Sequence, residues 1–104
     1  MNVLYIKNGT GKGSAASFGT GSVTTSATGA NYVQLASAAC TQLQLQNNTG
    51  TSLDVSIDGG ATKVVIPTGG SFCVPVLTNA NQVSVRRTDQ SNTQVTAYYA
   101  YLNN

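Results

Sequence analysis

From residue 42 onward the chain repeats one pattern, apolar residues at every second position in short runs separated by turn-forming residues. Leu43 and Leu45 alternate with Gln42, Gln44 and Gln46, and Leu53, Val55 and Ile57 alternate with Ser52, Asp54 and Ser56. A strand points successive side chains to opposite faces, so each run predicts a half-buried strand. Asp58-Gly59-Gly60 supplies turn chemistry, because glycine and aspartate tolerate positive φ. Val64 and Ile66 resume the row, and residues 52–66 therefore predict a hairpin. Pro67-Thr68-Gly69-Gly70 predicts the next turn. Phe72, Val74 and Val76 form another inward row, where Pro75 implies an edge position or a bulge because it cannot donate to a ladder. Asn79-Ala80-Asn81 turns the chain into Val83 and Val85. The last run puts Val95, Ala97, Tyr99 and Tyr101 on one side, with Tyr98 and Leu102 on the other.

Short strands at intervals of about 8–12 residues predict an antiparallel β-sandwich or jelly-roll-like barrel. No window sustains a helical period, so the expectation is an all-β fold of roughly seven to nine strands. At 104 residues one domain is expected. Its regular body spans residues 32–104. Residues 1–7 read as a short strand. Residues 8–31 are rich in Gly, Ser, Thr and Ala, a composition that reads as a loop or extended arm. Residues 1–31 thus form an N-terminal strand and arm whose apolar anchors are Leu4, Ile6, Phe18 and Val23.

The chemistry available to this chain is narrow. It has no histidine and no glutamate, and its carboxylates are Asp54, Asp58 and Asp89. General acid–base catalysis and zinc sites draw mostly on the missing groups. Serines and threonines abound, but none has a histidine to take its proton. We therefore expect no enzyme, no cofactor and no metal. Gly9-Thr10-Gly11-Lys12-Gly13-Ser14 resembles a phosphate-binding loop, yet a glycine follows the lysine and Ile6 stands where the first glycine belongs. Asp54 to Gly59 loosely resembles a calcium loop without the terminal glutamate. The Asn8-Gly9-Thr10 and Asn47-Asn48-Thr49 triplets match the glycosylation acceptor pattern, which matters only for an exported eukaryotic chain.

Charged residues make up 8% of the chain and the net charge is +2. Five scattered cations give no clustered basic face, so nucleic acid is not an expected partner. No apolar run is long enough to cross a bilayer as a helix, and the start lacks a secretory signal, which predicts synthesis in a cytoplasm without export. Cys40 and Cys73 then read as free thiols. Arg86 and Arg87 are adjacent on a strand and point to opposite faces. They read as a solvated strand end, or as a pair of which one meets Asp89 or an acidic partner. Tyr98, Tyr99 and Tyr101 make the closing strand apolar on both faces, which suits either a core on one side and a neighbour on the other, or a central strand covered on both sides within one domain.

Residues 41–102 resemble the capsid decoration, or cement, proteins of tailed bacteriophages. The likeness is carried by Thr-Gln-Leu-Gln-Leu-Gln-Asn, Gly-Gly-Ser-Phe-Cys-Val-Pro-Val, Gln-Val-Ser-Val-Arg-Arg-Thr-Asp and Val-Thr-Ala-Tyr-Tyr-Ala-Tyr-Leu. The resemblance implies a β-sandwich, often a homotrimer, on the outer surface of the virion. There it would bridge major capsid protein subunits and stabilise the shell, with the N-terminal arm reaching over neighbours. Partner contacts would then fall on Leu4, Ile6, Phe18, Val23, Arg86, Arg87, Tyr98, Tyr99 and Tyr101. The competing expectation is a phage tail or fibre module for receptor or carbohydrate binding, or for tail assembly.

Overall fold

In a computed structural model of the chain, residues 17–103 are described. They form eight strands: β1 (Ser17–Thr24), β2 (Val33–Gln34), β3 (Gln42–Gln46), β4 (Leu53–Ser56), β5 (Val64–Ile66), β6 (Ser71–Val74), β7 (Ser84–Arg87) and β8 (Thr96–Asn103). A single 3-10 turn, Ala80–Gln82, precedes β7. All strand pairs are antiparallel. Sheet A has the order β1-β8-β3-β6 and sheet B the order β2-β7-β4-β5. The fold is an all-β sandwich, and this strand order is that of a jelly roll, two Greek keys wrapped face to face.

The predicted alternation is what closes the sandwich. Leu43 and Leu45 from sheet A meet Leu53, Val55 and Val85 from sheet B in one core, each at most 2% exposed. The hairpin over residues 52–66 pairs Val55 with Val64. Its turn uses Gly59 and Gly60 at φ 74 and 100, a region that strains any side chain-bearing residue. The Pro67–Gly70 turn closes through the Gly70 N–H to the Pro67 carbonyl at 3.0 Å, with Gly69 at φ 86. β6 ends just before Pro75 and lies at the edge of sheet A, where the missing N–H costs no ladder bond. Two inward assignments do not hold. Ile57 and Val76 each fall one or two residues past a strand end, and they are 57% and 82% exposed.

The largest departure from the sequence reading is β1. The arm expected over residues 8–31 contains, from Ser17 to Thr24, a full strand paired with all of β8. Glycine ordinarily weakens a strand, which is why Phe18-Gly19-Thr20-Gly21-Ser22-Val23 reads as a linker. Here Gly19 lies opposite Tyr101 and Gly21 opposite Tyr99. A Cβ at Gly21 would stand 2.5 Å from Tyr99 Oη and 2.6 Å from its Cζ, and one at Gly19 would fall into the Tyr101 ring. The glycines are the space in which the tyrosines lie, an aromatic folded over a strand glycine. Val23 completes the same inward row at 5% exposure, and Tyr99 is buried beside it. Both belong to the core, which corrects their assignment as partner contacts: the parity of β1 and β8 points them inward. Residues 1–7, with Leu4 and Ile6, lie outside the described residues, as does the Asn8 triplet.

Asn47 has a role in the fold that its triplet pattern does not reveal. It is fully buried, and its Nδ2 donates to the carbonyls of Thr51 and Ile66, each at 2.8 Å. Its Oδ1 accepts from the Thr49 hydroxyl at 2.7 Å and the Thr49 N–H at 3.1 Å. An amide so engaged is no glycosylation acceptor. It ties the end of β3 in sheet A to β5 in sheet B.

Candidate interaction surfaces

Every charged residue among those described sits in the strands of sheet B or the segments joined to them, at 54, 58, 63, 86, 87 and 89. On the outer face of that sheet Asp54 is fully buried. It accepts from Arg86 Nε at 3.0 Å and from the Thr88 hydroxyl at 2.7 Å, with Lys63 Nζ at 3.4 Å. Burial pushes its carboxyl up, but the Thr88, Arg86 and Lys63 contacts outweigh that and hold it below the ordinary value. Arg86 also donates to the Ala30 carbonyl at 3.1 Å and lies 4.6 Å from the centre of the Tyr32 ring, a cation–π contact. Register explains the cluster: Asp54 pairs directly with Arg86 across β4 and β7, and with Val65 across β4 and β5. Sequence spacing alone joins Arg86 or Arg87 to nearby Asp89; only strand pairing brings residue 54 to residue 86.

Arg87 takes the local partner. Its Nε and Nη2 donate to the two Asp89 oxygens at 2.9 and 2.8 Å, and Nη1 to the Thr93 carbonyl at 3.0 Å. That fork, followed by the Ser91 N–H, holds the Asp89 carboxyl below its ordinary value. Neither arginine presents a free guanidinium. Both pin segments of their own chain, Arg86 the 30–32 stretch and Arg87 the loop between β7 and β8.

The outer face of sheet A is the opposite case. Residues directly opposite in register share a face, so Phe18, Thr20, Ser22, Gln42, Gln44, Gln46, Ser71, Cys73, Tyr98, Ala100 and Leu102 point away from the core. No charged side chain is among them. Tyr98 is 63% exposed and Phe18 62%. Thr20, Ser22, Gln44, Gln46, Tyr98 and Ala100 border a shallow depression of about 430 Å³. Leu102 lies on this face too but is fully buried, and Tyr101 is half-buried against the core. Of the expected contact residues within the described chain, the fold thus brings Phe18 and Tyr98 together on one exposed face. It sends Val23, Tyr99 and Tyr101 inward and uses both arginines internally.

A third feature escaped the sequence reading. An apolar slot of about 220 Å³ opens between the edge strands β5 and β6, lined by Val55, Val64, Phe72, Val74, Pro75 and the Lys63 stem. Val64 and Val65 on β5 are 40% and 48% exposed. Alternation marks these valines as strand residues, but only strand order shows that they stand at an open edge. Cys40 is buried and Cys73 half-buried, both unbridged, and burial raises both thiols, which disfavours the reactive thiolate.

The described residues form an all-β module whose arginines and Asp54 are engaged within the fold. No family model and no curated protein matches the sequence. Among solved structures, the chain is similar to one from a study of Bacillus endospore appendages, described there as a novel family of disulfide-linked pili. That match has 16% identity over 86% of this chain and 88% of the other, with a TM-score of 0.45. A de novo designed double-stranded beta-helix matches at 15% identity over 86% of this chain and all of the other, with a TM-score of 0.36.

Proposed function

We propose that this protein is a non-enzymatic virion structural protein that binds the outer capsid surface and stabilises the shell by bridging major capsid subunits. The observation that carries the reading is the charge-free outer face of sheet A, on which Phe18 and Tyr98 stand exposed. Such a face fits adhesion to another protein surface: its apolar rings leave water on contact at roughly 25 cal/mol per Å², and its amides and hydroxyls supply hydrogen bonds without charge desolvation. Contacts of this kind do not weaken with ionic strength as ion pairs do. The unpaired edges of β5 and β6 add backbone groups to which a neighbouring segment can pair as an extra strand. Many copies on one shell multiply weak contacts through avidity. A trimer would place three such faces around one capsid axis.

The test is to locate the chain by cryo-electron microscopy of its source particle, and to measure rebinding of purified protein to particles stripped of it. We expect density on the outer shell, with the face of Phe18 and Tyr98 against a capsid subunit, and rebinding that is unchanged between low and high salt. Density confined to a tail, or rebinding lost in high salt, would overturn the proposal.

A further inference from the structure

The outer face of sheet B contains a hollow that the capsid reading does not use. It measures about 770 Å³, within the range typical of small-ligand sites. Its polar lining comes from Asn31, Gln34, Asp58, Asn81, Gln82 and Ser84. These residues are far apart in sequence. They converge because β2 pairs with β7, setting Gln34 beside Ser84, and because β4 continues from Ser56 into the 57–59 turn at the same level. Tyr32 and Ile57 add apolar surface, Ile57 being 57% exposed.

Ser84 marks this hollow as unfinished. It is 4% exposed, yet its Oγ has no hydrogen-bond partner. Its register neighbours are already engaged. Ser56 Oγ donates to Asp58 Oδ1 at 2.7 Å and accepts from the Gly60 N–H at 2.8 Å, and Gln34 Nε2 donates to the Asn81 carbonyl at 2.9 Å. The Tyr32 hydroxyl is likewise buried without a partner. Buried hydroxyls are almost always paired, so the orphaned Ser84 hydroxyl lining the hollow asks for a ligand that supplies a partner.

We propose that this hollow is a binding site for a neutral saccharide. Primary amides and hydroxyls both donate and accept, matching the dual character of sugar hydroxyls. Arg86 stacks on the Tyr32 ring, and Tyr32 with Ile57 gives the hollow apolar surface for the apolar face of a sugar ring. No cation lines the hollow, and Asp58 gives it a negative charge. Anionic ligands such as phosphates and sialylated glycans are therefore disfavoured. Gly60 belongs to the arrangement, because a Cβ there would stand 2.7 Å from Tyr32 Cε1 and displace the ring.

The test is an amide-correlation NMR titration of the full chain with four neutral probes at millimolar concentration: methyl α-glucoside, methyl β-galactoside, N-acetylglucosamine and methyl α-rhamnoside. N-acetylneuraminic acid serves as the anionic comparison. We expect saturable shifts with at least one neutral probe, centred on residues 31–34, 57–59 and 81–84. Ser84→Ala should weaken that binding roughly tenfold, the equivalent of one net hydrogen bond, while leaving the unfolding midpoint unchanged or raised. A structural role for Ser84 would instead lower the midpoint. Asn31→Ala, at an exposed site, should weaken binding with no change in the spectrum of the rest of the fold. Silence with all four neutral probes would overturn the proposal. So would shifts that both variants leave intact, shifts centred on Tyr98, or tighter binding of the anionic probe.

Discussion

The two outer faces of this sandwich are built from the same strand geometry and put to different ends. Sheet B ties part of its outer face to itself: Asp54 holds Arg86, Lys63 and Thr88, and Arg86 fastens the 30–32 segment to the sheet. Sheet A leaves its outer face neutral, with two aromatic rings in water. The concentration of the described charged residues on one sheet teaches that their charge serves internal fastening. The contact surface is made of what remains.

Removing the centre of the sheet B cluster should break that side of the comparison most severely. Asp54→Ala leaves Arg86 and Lys63 without their counter-charge. Because the Lys63 side chain is 45% exposed and can turn to solvent, the loss should sit toward the lower end of the about 3–5 kcal/mol seen when one partner of a buried pair is removed. Urea unfolding measures it. A loss below about 1 kcal/mol would mean the cluster is decoration and not a fastening.

Asn47→Ala should come next. It strips the Thr51 and Ile66 carbonyls of their donor in a buried setting, at about 1–3 kcal/mol per unsatisfied group where water does not enter. Gly21→Ala tests the inner side of sheet A. The added methyl meets Tyr99, which is buried and cannot swing away, so overpacking should cost about 1–3 kcal/mol. Gly19→Ala should cost less, because Tyr101 is half-buried and has somewhere to go.

Acidification sharpens the same contrast with a smaller effect. The folded state holds Asp54 and Asp89 below their ordinary values, so it binds fewer protons there than the unfolded chain does. Their stabilisation is fully present above the unfolded carboxylate pKa, about 3.9, and is lost as pH falls through the folded values. With no histidine in the chain, unfolding midpoints should stay flat from neutral pH down to about pH 5 and drop only in the acid range. Asp54→Ala should flatten part of that drop. The smallest effect on stability belongs to Tyr98→Ala on the sheet A face, within about 0.5 kcal/mol. The same variant should lose particle rebinding, and a Tyr98 variant that rebinds normally would point the contact elsewhere.

How far these features were legible differs residue by residue. Leu43, Leu45, Leu53, Val55, Val83 and Val85 could be assigned to the core from alternation alone, because a period of two has one physical reading when one face is buried. Pro75 announced its edge. β1 could not be read, because glycines at alternate positions look like a flexible linker until the tyrosines that occupy their space are placed opposite them. Asn47 could not be read either: a triplet pattern says nothing of burial. Of the contact face, Tyr98 was visible as the odd ring in an alternating strand. The sheet B hollow was invisible, since its lining residues are ordinary polar loop residues until β2 and β7 pair.

The sequence by itself determined the fold class, the inward rows and the poverty of catalytic groups, because these depend on residue type and local period. Tertiary structure alone decided which aspartate meets which arginine, which glycines make room for which tyrosines, and which residues share an outer face. Those outcomes depend on strand order and register, which join residues as distant as 21 and 99 or 54 and 86. No local pattern encodes them, because a non-local pairing is chosen by the whole set of strands competing for the same core.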